Sequence, residues 1–141
     1  GIESKAFYVQ DGSAITYLHR AGIKTAIISG RASKVVELRA KELSIEDVYL
    51  GIHKKLDAYE KILKKHKIED SEICYIGDDL IDLPILRKVG FSVAVPNAPS
   101  EVKEEVSYIT DAAGGYGAVR EVTEKILKSQ GKWNEIIARY Y

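Results

Sequence analysis

No methionine occurs among the 141 residues, and cysteine occurs once. A chain that opens on Gly1 without an initiator leads to the expectation that the gene product starts further upstream. A lone thiol excludes an internal disulfide framework; Cys74, inside the apolar run 73–76, is expected to be a reduced, buried filler, which fits a cytoplasmic compartment. Charge of one sign is missing too: 21 Lys and Arg balance 21 Asp and Glu, so no global field favours nucleic acid or an acidic membrane as a partner. No apolar run approaches the ~20 residues of a spanning helix, and no signal peptide is visible at the start. With three prolines, no internal repeat and no low-complexity stretch, nothing reads as a linker, so residues 1–141 are expected to form a single domain with 131–141 as a C-terminal tail.

What is present is a series of strand-length apolar runs alternating with helical periodicity. Residues 6–9 (AFYV) read as a strand, one arm of a small N-terminal hairpin, broken by Asp11 and Gly12. Residues 13–21 follow at helical spacing, closed by Gly22; Asp11 reads first as the N-cap of this helix, with a substrate contact as the alternative. The run 25–29 (TAIIS) is a nearly continuous apolar stretch and implies a strand covered on both faces, hence a parallel sheet. A helix over 33–43, a strand over 47–50 (DVYL) and an amphipathic helix over 55–66 come next. Beyond 73–76 the pattern predicts a helix to about Val89, a buried strand over 91–95 (FSVAV), a short helix over 101–106, a last strand over 108–110 and a helix from Ala118 to about Gln130. Such alternation means an α/β fold: a doubly wound, mostly parallel sheet with right-handed crossovers, flanked by helices.

The stretch 73–84, ICYIGDDLIDLP, runs from a strand through Gly77 into Asp78, Asp79 and Asp82. Ligands of open α/β sheets sit at the carboxyl ends of strands. Three like charges this close repel one another, and as hard oxygen donors they suit Mg²⁺. A helix cap is the plainer alternative for Asp79 or Asp82, but capping needs one acid rather than three. Two other strand ends carry compatible groups. Ser29 and Gly30 offer a hydroxyl and a backbone N–H at a helix start, a cradle for an oxyanion or phosphate. Lys54 or Lys55 stands at the head of a helix, where a cation opposes the helix dipole and so points to an anion nearby. A hydroxyl, a lysine and a carboxylate cluster on successive strands describe a site for a phosphoryl group and Mg²⁺.

In this order, Ser29-Gly30-Arg31, Lys55 and GDDLIDLP (77–84) resemble motifs two, three and four of the haloacid dehalogenase superfamily of phosphatases. More narrowly, IISGRASKVVELRAKELSIEDVYLG (27–51), VAVPNA (93–98) and GGYGAVREV (114–122) resemble the 3-deoxy-D-manno-octulosonate 8-phosphate (KDO 8-phosphate) phosphatase family, capless members of that superfamily. The likeness runs from about Ile2 to Gln130. It implies a Rossmann-like haloacid dehalogenase sheet and a Mg²⁺-dependent phosphomonoesterase that works through an aspartyl-phosphate in lipopolysaccharide precursor synthesis. It implies that Ser29, with Gly30, binds the phosphoryl oxygens, and that Lys55 neutralises the nucleophile and the transferring group. Asp78 would be the main metal ligand, with Asp79 and Asp82 as second ligand, water-mediated ligand or partner of the lysine. It further implies a homotetramer whose neighbouring subunits close the site, with the hairpin around Ala6 taking part.

The likeness has one gap. The family's first motif, an Asp-x-Asp at the end of the first and central strand, supplies the nucleophile, the general acid and a further metal ligand, and the sequence contains no such pair. Asp11 follows an edge-like strand and Asp78 is committed to the metal, so neither replaces it. The expectation is that the protein begins earlier, and that a chain starting at Gly1 lacks the central strand, folds poorly and is inactive. Arg31 bears on the substrate. In related nonulosonate phosphatases the residue after the Ser/Thr-Gly pair is typically acidic with a lysine further along the helix; here the signs are reversed, with Glu42 on the same helix face. Arg31 suits the carboxylate of an octulosonate, which arginine binds bidentately, and Arg39 is a second candidate for that anion, within the subunit or across a subunit contact, with a solvated helix face as its alternative. Competing readings are a nonulosonate (sialic acid type) 9-phosphate phosphatase, disfavoured by Arg31 and Glu42, and a catalytically silent oligomerisation module, opposed by the retained Ser29, Lys55 and acids. A phospho-receiver domain would carry its acids on an earlier strand. The aromatic tail is expected to dock on a neighbouring subunit.

Overall fold

The computed structural model describes residues 9–141. The strand expected over 6–9, and the hairpin it would form, lie outside the described residues except for Val9, which begins helix α1 (Val9–Arg20). There follow β1 (Ala26–Ile28), α2 (Lys34–Glu42), β2 (Asp47–Tyr49), α3 (Lys55–His66), β3 (Cys74–Gly77), α4 (Leu83–Leu86), β4 (Phe91–Ala94), α5 (Ser100–Lys103), β5 (Tyr108–Ile109), α6 (Ala118–Ser129) and α7 (Trp133–Ile137). This is the α/β alternation the periodicity implied. Ser33 caps α2 by accepting the Val36 N–H at 3.2 Å, the usual way of satisfying an orphan donor at a helix start.

Among the described residues every strand pair is parallel, and the strands fall into two sheets: β1 with β2, and β3-β4-β5 in that order. Among those residues β1 and β3, apolar enough for the middle of a sheet, each pair on one side only, and their central residues Ile27, Tyr75 and Ile76 are half-buried. The core gathers instead on the larger sheet, where Leu86, Ala94, Val95, Ala98, Val102 and Ala118 form one buried cluster flanked by Tyr75, Ile76, Leu83 and Val106. At the amino end of β2 the buried Asp47 accepts from Lys65 at 2.6 Å and pairs with His66 at 2.7 Å, tying the end of α3 to the strand. Burial pushes this carboxyl up, but the bonds from Lys65 and His66 outweigh it and hold the group below its usual range.

One expectation is corrected by a contact between distant residues. Asp11 does not cap its own helix: it lies inside the first turn of α1, and its carboxylate accepts the N–H groups of Gly117 at 3.2 Å and Arg120 at 3.0 Å. The start of α6 needs this acceptor, because its own N-cap residue is Gly117, at φ +112°, which has no side chain to offer. The tail packs on its own chain. Trp133 meets Tyr17 of α1 edge-on at 5.9 Å, Arg20 donates to the Tyr140 hydroxyl at 2.6 Å, and the Arg120 guanidinium lies over the rings of Tyr17 and Trp133 at 5.3 and 5.2 Å. Among the described residues no helix is long and apolar enough to cross a membrane.

Candidate active site

Loops at the carboxyl ends of β1, β2 and β3 meet at one edge of the molecule. Ser29 continues the β1–β2 ladder past its end, donating its N–H to Tyr49 O at 2.9 Å and accepting the Ile52 N–H at 3.0 Å, so the loop after β1 is fastened to the loop that leads into α3. The Ser29 hydroxyl accepts the Arg31 N–H at 3.2 Å, which folds the turn around Gly30. A Cβ on Gly30 would lie 3.7 Å from Ile81 Cδ1 and 3.8 Å from Ile52 O, so this loop also touches the acidic turn after β3.

Lys55 is the first residue of α3, and Lys54 before it provides no side-chain cap. The cation at this unfavourable end has its anion: Lys55 Nζ donates to Asp82 Oδ1 at 2.8 Å. Asp82 closes a 3-10 turn (Leu80–Asp82) and is 1% exposed. Oδ1 also accepts the Tyr75 hydroxyl at 2.6 Å, while Oδ2 accepts the N–H groups of Asp78 at 2.9 Å and Asp79 at 3.2 Å. A buried carboxylate is tolerable because all four bonds are made. Burial pushes the Asp82 carboxyl up, yet the bonds from Lys55, Tyr75 and the Asp78 amide hold it below the usual range. The same burial and the adjacent carboxylate push the Tyr75 hydroxyl far above the usual tyrosine range, so it stays a donor. Gly77 makes room for this: a Cβ there would lie 2.8 Å from Asp82 Cβ and 2.9 Å from Leu86 Cδ1.

The continuous helix expected to Val89 is broken into the 3-10 turn and the four-residue α4. Asp79 caps the turn, accepting the Leu80 N–H at 2.7 Å, and Pro84 sits in the first turn of α4, where its missing N–H costs nothing. The acids therefore divide. Asp82 is turned inward, whereas Asp78 and Asp79 are exposed at the strand end. Partial burial and then the negative charge of Asp82 push the Asp78 carboxyl above its usual range. Of the roles expected for Asp82, the geometry matches that of partner of the lysine, with both its oxygens engaged by protein donors; among the described residues no group of three or more His, Cys, Asp or Glu is gathered in a metal-holding arrangement.

A family model for haloacid dehalogenase-like hydrolases matches residues 51–122, from the loop before Lys55 through the acidic turn to α6. The 3-deoxy-D-manno-octulosonate 8-phosphate phosphatase of Salmonella typhi is 45% identical over 135 residues, covering 96% of this chain and 72% of the relative. The chain belongs to that phosphatase family. The enzyme of the same name from Escherichia coli K12 gives the same identity and coverage. Among solved structures, the phosphatase of Moraxella catarrhalis, crystallised with a magnesium ion, a phosphate ion and a KDO molecule, is 48% identical, with a TM-score of 0.97 over 100% of this chain and 81% of that one. The cobalt-bound phosphatase of Haemophilus influenzae is 39% identical, with a TM-score of 0.90 over 94% of this chain and 77% of that one. The chain is thus a phosphoric monoester hydrolase with the family's α/β fold.

Of the residues singled out in the sequence, Ser29, Gly30, Lys55, Asp78, Asp79 and Asp82 come together at this edge, and Arg31 stands exposed on its rim. Arg39 does not join them. It pairs with Glu42 at 3.1 Å and lies against α1, so close that a Cβ on Gly12 would meet its Nη2 at 2.6 Å. Tyr75, which the sequence places only within the apolar run 73–76, also reaches this cluster through its bond to Asp82. Its signal was the alternation of β3: Tyr75 and Gly77 point to one face, the face onto which the following acid must fold back, and a buried phenol needs an acceptor.

Proposed function

We propose that this phosphatase hydrolyses KDO 8-phosphate to the free sugar acid and phosphate, with Mg²⁺ as cofactor and through an aspartyl-phosphate. The observation that carries the reading is the Lys55–Asp82 pair, buried beside two outward carboxylates at the ends of parallel strands. Asp78, with Asp79, would hold the ion; a carboxyl pushed up by burial and a neighbouring negative charge gains most from a divalent neighbour. The ion when bound would offset charge on the phosphoryl oxygens. Lys55 would do the same from the other side: one N–H is fixed by Asp82, which leaves the remaining donors of the ammonium to face the phosphoryl group. Ser29 and the Gly30 amide would cradle the phosphoryl oxygens. An attacking carboxylate is not among these groups: Asp82 is fully bonded, Asp11 caps α6, and the Asp-x-Asp implied by the resemblance does not occur in the sequence. Relatives named for this substrate, and the Moraxella catarrhalis protein with its bound magnesium, phosphate and KDO, support the reading. A cytoplasmic homotetramer supplying lipopolysaccharide synthesis is the corresponding biological setting.

Arg31, exposed beside the phosphate cradle, would recognise the substrate carboxylate. Arg31→Glu is expected to lower kcat/KM for KDO 8-phosphate about a hundredfold, while an aryl phosphate without a carboxylate loses less than about threefold. Equal losses on the two substrates would remove the assignment, and a gain on nonulosonate 9-phosphates in the parent enzyme would favour that substrate class instead.

A further inference from the structure

We infer that Tyr75 is a positioning residue for phosphoryl transfer, acting through Asp82 on Lys55. The inference rests on the phosphatase reading above and extends it to a residue outside the motifs. Asp82 Oδ1 is shared by two donors, Lys55 Nζ at 2.8 Å and the Tyr75 hydroxyl at 2.6 Å, and Oδ2 is shared by the amides of Asp78 and Asp79. One carboxylate thus sets the place of the lysine and of the backbone that carries both outward acids. The two amides fix one oxygen. Tyr75, rigid on β3 and paired through Cys74, Tyr75, Ile76 and Gly77 with β4, fixes the other.

Without the phenol, Oδ1 has Lys55 as its sole donor. The carboxylate can then turn toward the lysine and draw the ammonium inward, away from a phosphoryl group at the strand ends. The electrostatic consequence points the same way, since an acceptor already bonded to a phenol neutralises less of the lysine charge. A displacement of this kind weakens stabilisation of the transferring group more than it weakens ground-state binding, because the phosphoryl charge shifts only as the reaction proceeds. The loss therefore belongs in kcat.

The test is Tyr75→Phe, which keeps the ring in its strand position and removes only the hydroxyl. The kcat is expected to fall about tenfold, in the range found for groups that orient a functional side chain, with KM changed less than twofold. The same substitution made in a Lys55→Met background is expected to change the residual kcat less than twofold, since its effect runs through the lysine. A role confined to the fold would give the same factor in both backgrounds, and that result, or an unchanged kcat in Tyr75→Phe alone, overturns the inference. Lys55→Met also separates the two readings. If that variant loses activity and Tyr75→Phe does not, the site stands and the positioning role fails; if Lys55→Met retains full turnover, the assignment of the site itself fails.

Discussion

Replacing Asp82 by alanine is expected to cost the fold about 3–5 kcal/mol, the range for removing one partner of a buried ion pair. Four donors point at this carboxylate: the Lys55 ammonium, the Tyr75 hydroxyl and the amides of Asp78 and Asp79. Alanine leaves all four without their acceptor, and with the Lys55 side chain only 10% exposed water does not readily replace it. The cavity adds to the loss, since Asp82 packs against the Gly77 backbone. Urea unfolding followed by circular dichroism measures it. A midpoint within experimental error of the parent would show that the carboxylate is not the hub described above.

Lys55→Met is expected to give the opposite balance, a folded protein with kcat reduced about 10²–10³-fold, the scale for deleting one preorganised group that stabilises developing charge. The asymmetry follows from the partners left behind. Asp82 keeps Tyr75 and two amides when the lysine is removed, so its charge remains solvated by three donors, and the methionine stem fills most of the space. Steady-state phosphate release, read beside an unfolding curve on the same sample, distinguishes the two cases. Loss of activity in proportion to loss of folded protein would assign Lys55 to structure alone.

Much of this edge was legible because its signals are local. The cation at the head of α3 implied an anion from the helix dipole alone, and Asp82 is that anion. The boundaries of α3 follow from apolar spacing within a few residues. What could not be read depends on partners far along the chain. Asp11 looks like the cap of the helix it begins, and only the return of α6 more than 100 residues later supplies the amides it serves. Arg39 has the charge and helix position of an anion ligand, yet the small Gly12 on α1 lets it pack inward instead. The tail rests on Tyr17 and Arg20, an aromatic and cationic surface supplied from the far end of the same chain. The sheet shows the same limit. Apolar content predicts that β1 and β3 belong inside a sheet, but it does not say what stands beside them, and among the described residues each pairs on one side.

The most direct measurement is phosphate release from KDO 8-phosphate by the enzyme with Mg²⁺, after chelation, and after Mg²⁺ is restored. The site described here predicts rapid release with the ion, loss of nearly all of it on chelation and recovery on readdition. Release that persists unchanged through chelation would contradict a phosphoryl site assembled from Lys55, Ser29 and the outward acids Asp78 and Asp79.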